Sequence, residues 1–354
     1  MVSLLTALLL GAAAAATPAY GLCVTRDETC SADAAVIRKE YGQLTDAEKL
    51  SFVAAVQCVM AKPSIMNDVV PATTNKFDDF AAVHVNNTLG IHINGVFLSW
   101  HRHFVYLMEK ELHECGFNET LGIPYWNWAL YTDLETSPMF DGSETSLGSN
   151  GAYDPDSGDV YSTPGGTILP HGTGGGPIVS GPFANHTVNF QKMPFELVFS
   201  GLPANWTVPD PHLMTRDLNN YGVQTYCNQS DIDYVLSSEN ITIFQSVING
   251  DDNSPGIHGG GHYSIGATGY DFFGSPQDPA FYLHHSMIDK IWTDWQAVDP
   301  VNRRYVYFGT STIFNGNATA NVVNDTVIDY GRLGSATVGE VQDPQSGPYC
   351  YQYE

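Results

Sequence analysis

The stretch IHGGGHYSIGATGYDFFGSPQDPAFYLHHSMIDKIW, residues 257–292, decides how this chain is read. It holds four histidines, His258, His262, His284 and His285, within 28 residues. His258 and His262 stand at i and i+4, so a helix through them puts both imidazoles on one face, where they can grip one ion. Residues 279–298, PAFYLHHSMIDKIWTDWQAV, have helical character. Asp289 follows His285 by one helical turn, which places a carboxylate where it can orient an imidazole. From these residues alone, either His284 or His285 can complete a set of three.

Upstream, AAVHVNNTLGIHINGVFLSWHRHF, residues 81–104, supplies a second group: His84, His92 and His101, with His103 close by. The chain has twelve histidines, and the remaining four are scattered between the two groups. His101 is expected to open an amphipathic helix over 101–114, HRHFVYLMEKELHE, that stops at Gly116. Two trios of imidazoles, distant in sequence, point to two metal ions brought together by folding. Imidazole-only sets suit copper, zinc, iron or nickel, whereas magnesium and calcium want oxygen donors. Neither group contains a Glu-x-x-His pair, which argues against a non-haem iron triad and a di-iron bundle. Neutral nitrogen donors also leave reduced copper accessible, so copper is the expected metal and zinc the alternative on ligand type.

The rest of the chain sets the context. Residues 30–62 carry apolar residues at helical spacing with a turn near 42–45, and Thr45 with Glu48 predicts a capping box for the second of two helices. Residues 132–188, rich in Gly, Ser, Thr, Pro and Asp, read as a long surface excursion. The tail, 301–354, predicts a few short strands. Val2 to Ala16, VSLLTALLLGAAAAA, followed by small residues to Gly21, reads as a signal peptide over residues 1–21. Eight N-x-S/T sequons, at Asn86, Asn118, Asn185, Asn205, Asn228, Asn240, Asn317 and Asn324, agree with a secreted glycoprotein. Six cysteines without a CxxC pair suit structural disulfides in an oxidising compartment. The 354 residues include 38 acidic and 14 basic side chains, a formal net charge of −24. That charge repels nucleic acid and anionic membrane surfaces, so neither is an expected partner.

At the histidine groups the chain resembles the tyrosinase, catechol oxidase and haemocyanin superfamily of coupled dinuclear copper proteins, with a likeness to short fungal polyphenol oxidases. The first group, ending in Trp100-His101-Arg102, matches its first copper motif. The second matches H-x-x-x-H followed by D-P-x-F-x-x-H-H-x-x-x-D-x-x-W, here Asp278 through Trp292. Similarity runs from about Cys30 to the end, including Arg38-Lys39-Glu40-Tyr41 and Pro124-Tyr125-Trp126.

The resemblance implies a mainly α fold: a central four-helix bundle holding a dicopper site, with long loops and a few short β-strands, formed by residues 22–354 as one catalytic domain. It implies that His84, His92 and His101 bind the first copper and His258, His262 and His285 the second, with His284 a neighbour. Gly259 and Tyr263, just after the first two ligands of the second ion, and Phe272, thirteen residues before His285, are expected to line the substrate entrance. The implied activity is that of an oxidoreductase that takes small phenolic substrates and O2 and converts o-diphenols, and secondarily monophenols, to o-quinones. Gly259 stands where relatives efficient on monophenols often carry Asn, so diphenol oxidation should dominate. An o-aminophenol oxidase and a haemocyanin-like dioxygen carrier are the alternatives. Gly90, two residues before His92, removes the Cys–His thioether of many fungal relatives. The chain stops at the point where their catalytic domain ends, so no C-terminal plug is expected.

Overall fold

Helix α1 (Asp46–Ala61) starts where Thr45 and Glu48 direct it. The Thr45 hydroxyl accepts from the Glu48 amide at 3.3 Å, and the Glu48 carboxylate accepts from the Thr45 amide at 2.7 Å, which completes the expected capping box. The computed structural model describes residues 30–354 except 32, 159, 162–167 and 252. The signal peptide read over residues 1–21 and Cys23 lie outside the described residues.

Two long helices follow, α2 (Lys76–Ile91), capped by the Asn75 side chain, and α3 (Phe97–Glu114). α3 begins four residues before His101, so that histidine sits in its second turn and not at its start. A single turn, α4 (Leu197–Ser200), and the short helices α5 (Asn220–Tyr226), α6 (Gln229–Leu236) and α7 (Ile241–Asn249) lead to α8 (Gly256–Ile265). Helix α9 (Ala280–Val298) and one more turn, α10 (Pro300–Arg303), close the helical part. α1 packs on α2 and α3, α3 on α9, and α8 on α9, α5 and α7. Phe80 and His84 of α2 meet Phe104 of α3 and Phe281 of α9 at ring separations of 5.4 and 5.2 Å, which seals the bundle. The fold is thus mainly α around a four-helix centre of α2, α3, α8 and α9.

Strands are short and paired two by two: β1 (Val36–Arg38) with β10 (Tyr351–Tyr353) in parallel, and four antiparallel pairs. These are β2 (Gly151–Tyr153) with β5 (Gly175–Ile178), β3 (Val160–Tyr161) with β4 (Ile168–Leu169), β6 (Thr187–Val188) with β7 (His212–Leu213), and β8 (Val327–Asp329) with β9 (Ser335–Thr337). The helix expected before Gly42 is therefore replaced by β1 and a short 3₁₀ turn, Tyr41–Gln43. Its residues are drawn out straight because Val36, Ile37 and Arg38 pair with Tyr351, Gln352 and Tyr353 at the far end of the chain. Tertiary pairing overrides local spacing there.

Two disulfides fasten the same region. Cys30–Cys350 joins the two ends of the described chain, and Cys58–Cys115 ties α1 to the end of α3. Among the described residues Cys227 is buried and outside these two bridges. The Gly-rich excursion is pinned down by Arg216. This buried guanidinium pairs with Asp278 at 2.8 Å and donates to the carbonyls of Leu147, Gly148 and Ser149 at 3.1 Å.

Candidate metal centre

Each histidine trio is assembled by two helices. His84 projects from the middle of α2 and His92 caps its C-terminus, while His101 comes from α3. Ile93, directly after His92, has φ +51°, a left-handed conformation that a β-branched residue rarely adopts. That turn brings the His92 ring back over the bundle, 4.9 Å from His84 and 5.0 Å from His101. On the other side, His258 and His262 share one face of α8, as their i, i+4 spacing predicts, and α9 supplies His284 and His285.

The two groups face each other. In each, the candidate ligand atoms lie within 4.8 Å of one another. Between them, the rings of His101 and His285 stack at 4.3 Å and 12°, and those of His92 and His258 at 6.1 Å and 13°. His285 therefore belongs to its own group and also meets the first. His284 lies 4.4 Å from His262 but packs away from the first trio, against Trp128 at 5.3 Å. This geometry favours His285 over His284 as the third ligand.

The imidazoles are prepared for a metal. The Nδ1 of His84 bonds the Phe273 carbonyl at 2.6 Å, that of His92 the Thr88 carbonyl at 3.0 Å, that of His101 the Phe97 carbonyl at 2.9 Å, and that of His262 the Gly269 carbonyl at 2.8 Å. A carbonyl only accepts, so each Nδ1 carries the proton and each Nε2 presents a lone pair. Among the described residues, Nε2 of His84, His101 and His258 is buried without a partner, and Nε2 of His262 and His285 stand 3.1 Å apart. Such converging buried acceptors are costly unless a cation sits among them. Burial also pushes the ring pKa values down, to about 3 for His92 and about 4 for His262, so the rings are neutral near pH 7. A soft-to-borderline divalent or monovalent metal fits this all-nitrogen set; an oxygen-seeking ion does not.

Asp289 does not touch His285. Its carboxylate accepts from Arg102 and, at 3.1 Å, from Arg38, and at 2.6 Å from each of the Tyr351 and Tyr353 hydroxyls. A buried carboxylate is satisfied far better by two guanidiniums than by one imidazole N–H, so backbone carbonyls orient the ligands instead. Tyr263 does not line the entrance either. One residue on from His262, it points about 100° round the helix. There its buried hydroxyl donates to the Pro170 carbonyl and accepts from Asn219 at 2.7 Å. Gly259 and Phe272 do line a cavity of about 910 Å³ that reaches His92, His258 and His262. The Phe272 ring lies 4.7 Å from that of His92.

Sequence reading passed over two features. Gly260 and Gly261 are where α5 and α9 press on α8. A Cβ at 260 would stand 2.6 Å from the Tyr226 Cβ, and one at 261 would stand 2.3 Å from the His284 Cε1. Three glycines inside a short helix are the signal, since only close approach explains such poor helix formers there. Asp278 is the other. Besides holding Arg216 it accepts from the Ala280 amide at 2.9 Å, so the Asp-Pro step starts α9 in register for His285.

Comparison with known proteins agrees with this geometry. The family model for the common central domain of tyrosinase matches residues 74–298. Tyrosinase P of Aspergillus terreus is 41% identical over 96% of this chain and 97% of its own length. An N-acetyl-6-hydroxytryptophan oxidase of Emericella nidulans is 37% identical over 98% of this chain and all of its own. Among solved structures, a variant of the polyphenol oxidase of Thermothelomyces thermophila superposes with a TM-score of 0.85 at 37% identity, covering 92% of this chain and 90% of the other.

Proposed function

Because the chain belongs to the tyrosinase family of oxidoreductases, we propose that it is a secreted phenol oxidase holding one copper ion in each histidine trio. In this reading His84, His92 and His101 bind the first ion and His258, His262 and His285 the second. The observation that carries the assignment is the convergence of the buried rings, with Nδ1 of His84, His92, His101 and His262 tied to carbonyls and Nε2 of His84, His101 and His258 left without a partner. Two copper ions so held supply the capacity to bind O2 and to take up the two electrons lost when an o-diphenol becomes an o-quinone, with water as the other product.

The chain's own residues do the rest. The carbonyls of Thr88, Phe97, Gly269 and Phe273 keep four of the rings in one tautomer and orientation. Burial under Phe97, Phe104 and Phe281 keeps all six neutral and excludes bulk water from the back of the site. Phe272 flanks the His92 edge of the cavity and gives a substrate ring a flat apolar surface to rest on. Gly259 lines the same cavity without a side chain, so no amide or carboxylate at that position assists in removing a phenol's proton.

The reading therefore favours o-diphenols over monophenols. An open cavity reaching the ligand rings also favours an enzyme over a covered dioxygen carrier. The relative named for N-acetyl-6-hydroxytryptophan extends the expected substrates to hydroxylated indoles, and o-aminophenols, which differ from catechol by one donor atom, come next. The test is O2 uptake with quinone absorbance for catechol and for L-tyrosine. Catechol should turn over at least about a hundredfold faster, the lower end of what one missing general base costs. Comparable rates would overturn the substrate assignment, and no quinone from either would overturn the oxidase assignment.

A further inference from the structure

The cavity beside the histidines is far larger than a single phenol ring needs. At about 910 Å³ it lies near the top of the roughly 300–1,000 Å³ range of pockets that take drug-sized ligands. One side of it is a row of aromatic rings running outward from the site. The His92 ring meets Phe272 at 4.7 Å, Phe272 meets Phe195 edge-on at 5.1 Å, and Phe195 meets Phe199 edge-on at 6.5 Å. Phe199 finally stacks on Phe314 at 6.1 Å and 16°. His92, Phe195, Phe199 and Phe272 all line the cavity.

The outer pair is less covered than the inner rings of the row. Phe199 is 72% exposed, so burial contributes little to holding its ring in place, and Phe314 remains 39% exposed. Phe314 also sits at φ +56°, in the left-handed region that a bulky residue avoids. Two water-facing rings, one on a strained backbone, stacked on each other at the open end of a row that starts at a candidate ligand, call for a function.

We propose that this row is a docking track for phenols extended by a second aromatic ring, with the oxidisable ring on Phe272 next to His92 and the distal ring against Phe199 and Phe314. This rests on the phenol oxidase reading and names its substrate class: linked, multi-ring phenols, in preference to free monocyclic ones. Stacked and edge-to-face contacts at the outer pair add affinity for the distal ring without touching the reacting one, so the gain appears chiefly in KM.

The experiment compares 4-methylcatechol with a catechol bearing a phenyl group on a three-carbon linker at the same position. The extended substrate should show a kcat/KM about five- to tenfold higher, mainly through KM. In Phe199→Ala that ratio should fall to within about twofold of one, and Phe199→Trp should restore it, since a larger ring keeps the stacking surface. Phe314→Ser serves as the second variant. Calorimetric binding of the two corresponding dimethyl ethers, which cannot be oxidised, gives the same ratio without turnover. If neither catechol is oxidised but the ethers keep their ratio, the oxidase reading falls and the track stands. A ratio near one in the unmodified protein overturns the track. So does a ratio unmoved by Phe199→Ala, or a change in oligomeric state on that substitution in place of a change in the ratio.

Discussion

Asp289 shows how a residue one turn from a candidate ligand can serve the site without touching it. Its carboxylate bridges Arg38 of β1 and Arg102 of α3, next in sequence to His101. Both guanidiniums also lie over rings, Arg38 3.5 Å from the Tyr351 centroid and Arg102 3.8 Å from that of Trp292. Burial pushes the Asp289 pKa up, but the charges of Arg102 and Arg38 more than offset it, and the net shift is downward from 3.8. A carboxylate with a depressed native pKa contributes stability that is present above its unfolded value near 4 and lost as pH falls through the native value. Asp289→Asn should therefore cost about 3–5 kcal/mol at pH 7, because buried Arg102 loses its carboxylate partner and Arg38 is left with Glu109 alone. It should also flatten the decline of stability with acid. Urea unfolding at pH 7 and at about pH 3 measures both, and an unchanged midpoint at pH 7 would refute this role. The two histidine groups were legible from residue type and spacing, but the choice of His285 over His284 rested on the family resemblance. The partners of Asp289 were not, because they come from residues 38, 102, 351 and 353, which no local pattern links.

At the level of elements, α8 and α9 were readable and β1 was not. His258 to His262 has helical spacing, and the run from Ala280 to Val298 has a helical period, so both helices formed where expected. The segment before Gly42 has helical spacing too, yet pairing with β10 and the Cys30–Cys350 bridge determine its shape. The α8–α9 contact depends on a missing side chain. Gly261→Ala would place a methyl group 2.3 Å from the His284 ring, which is buried against Trp128. Overpacking of this kind costs roughly 1–3 kcal/mol, against the ~1 kcal/mol that Ala gains over Gly in a helix. Here the ring has no free space to move into, so the clash should win. A lower thermal midpoint together with lower metal content is expected, and a stabilised variant with full metal content would contradict the packing argument.

For the whole molecule, charge matters most at the mouth. Asp154, Asp156, Glu196 and Asp251 line the cavity, and Lys192 is the one lysine or arginine among its lining residues. No ion pair among the described residues neutralises those four carboxylates. With a formal net charge of −24 behind them, they set a negative potential where substrate enters. At low ionic strength KM for 3,4-dihydroxybenzoate should exceed that for dopamine by about tenfold, and added salt should narrow the gap as the Debye length shrinks toward roughly 8 Å. A gap that is absent or insensitive to salt would remove electrostatics from the account. Composition made the overall charge legible, but its concentration at the mouth follows from loops that only the fold brings together.

In the proposed function, each of the two imidazole trios holds one copper ion. A crystal of the copper-loaded protein, measured on both sides of the copper absorption edge, tests it directly. Two anomalous peaks are expected, one among the Nε2 atoms of His84, His92 and His101 and one among those of His258, His262 and His285. A single peak, or a second peak held by His284 with His285 turned away, would contradict it.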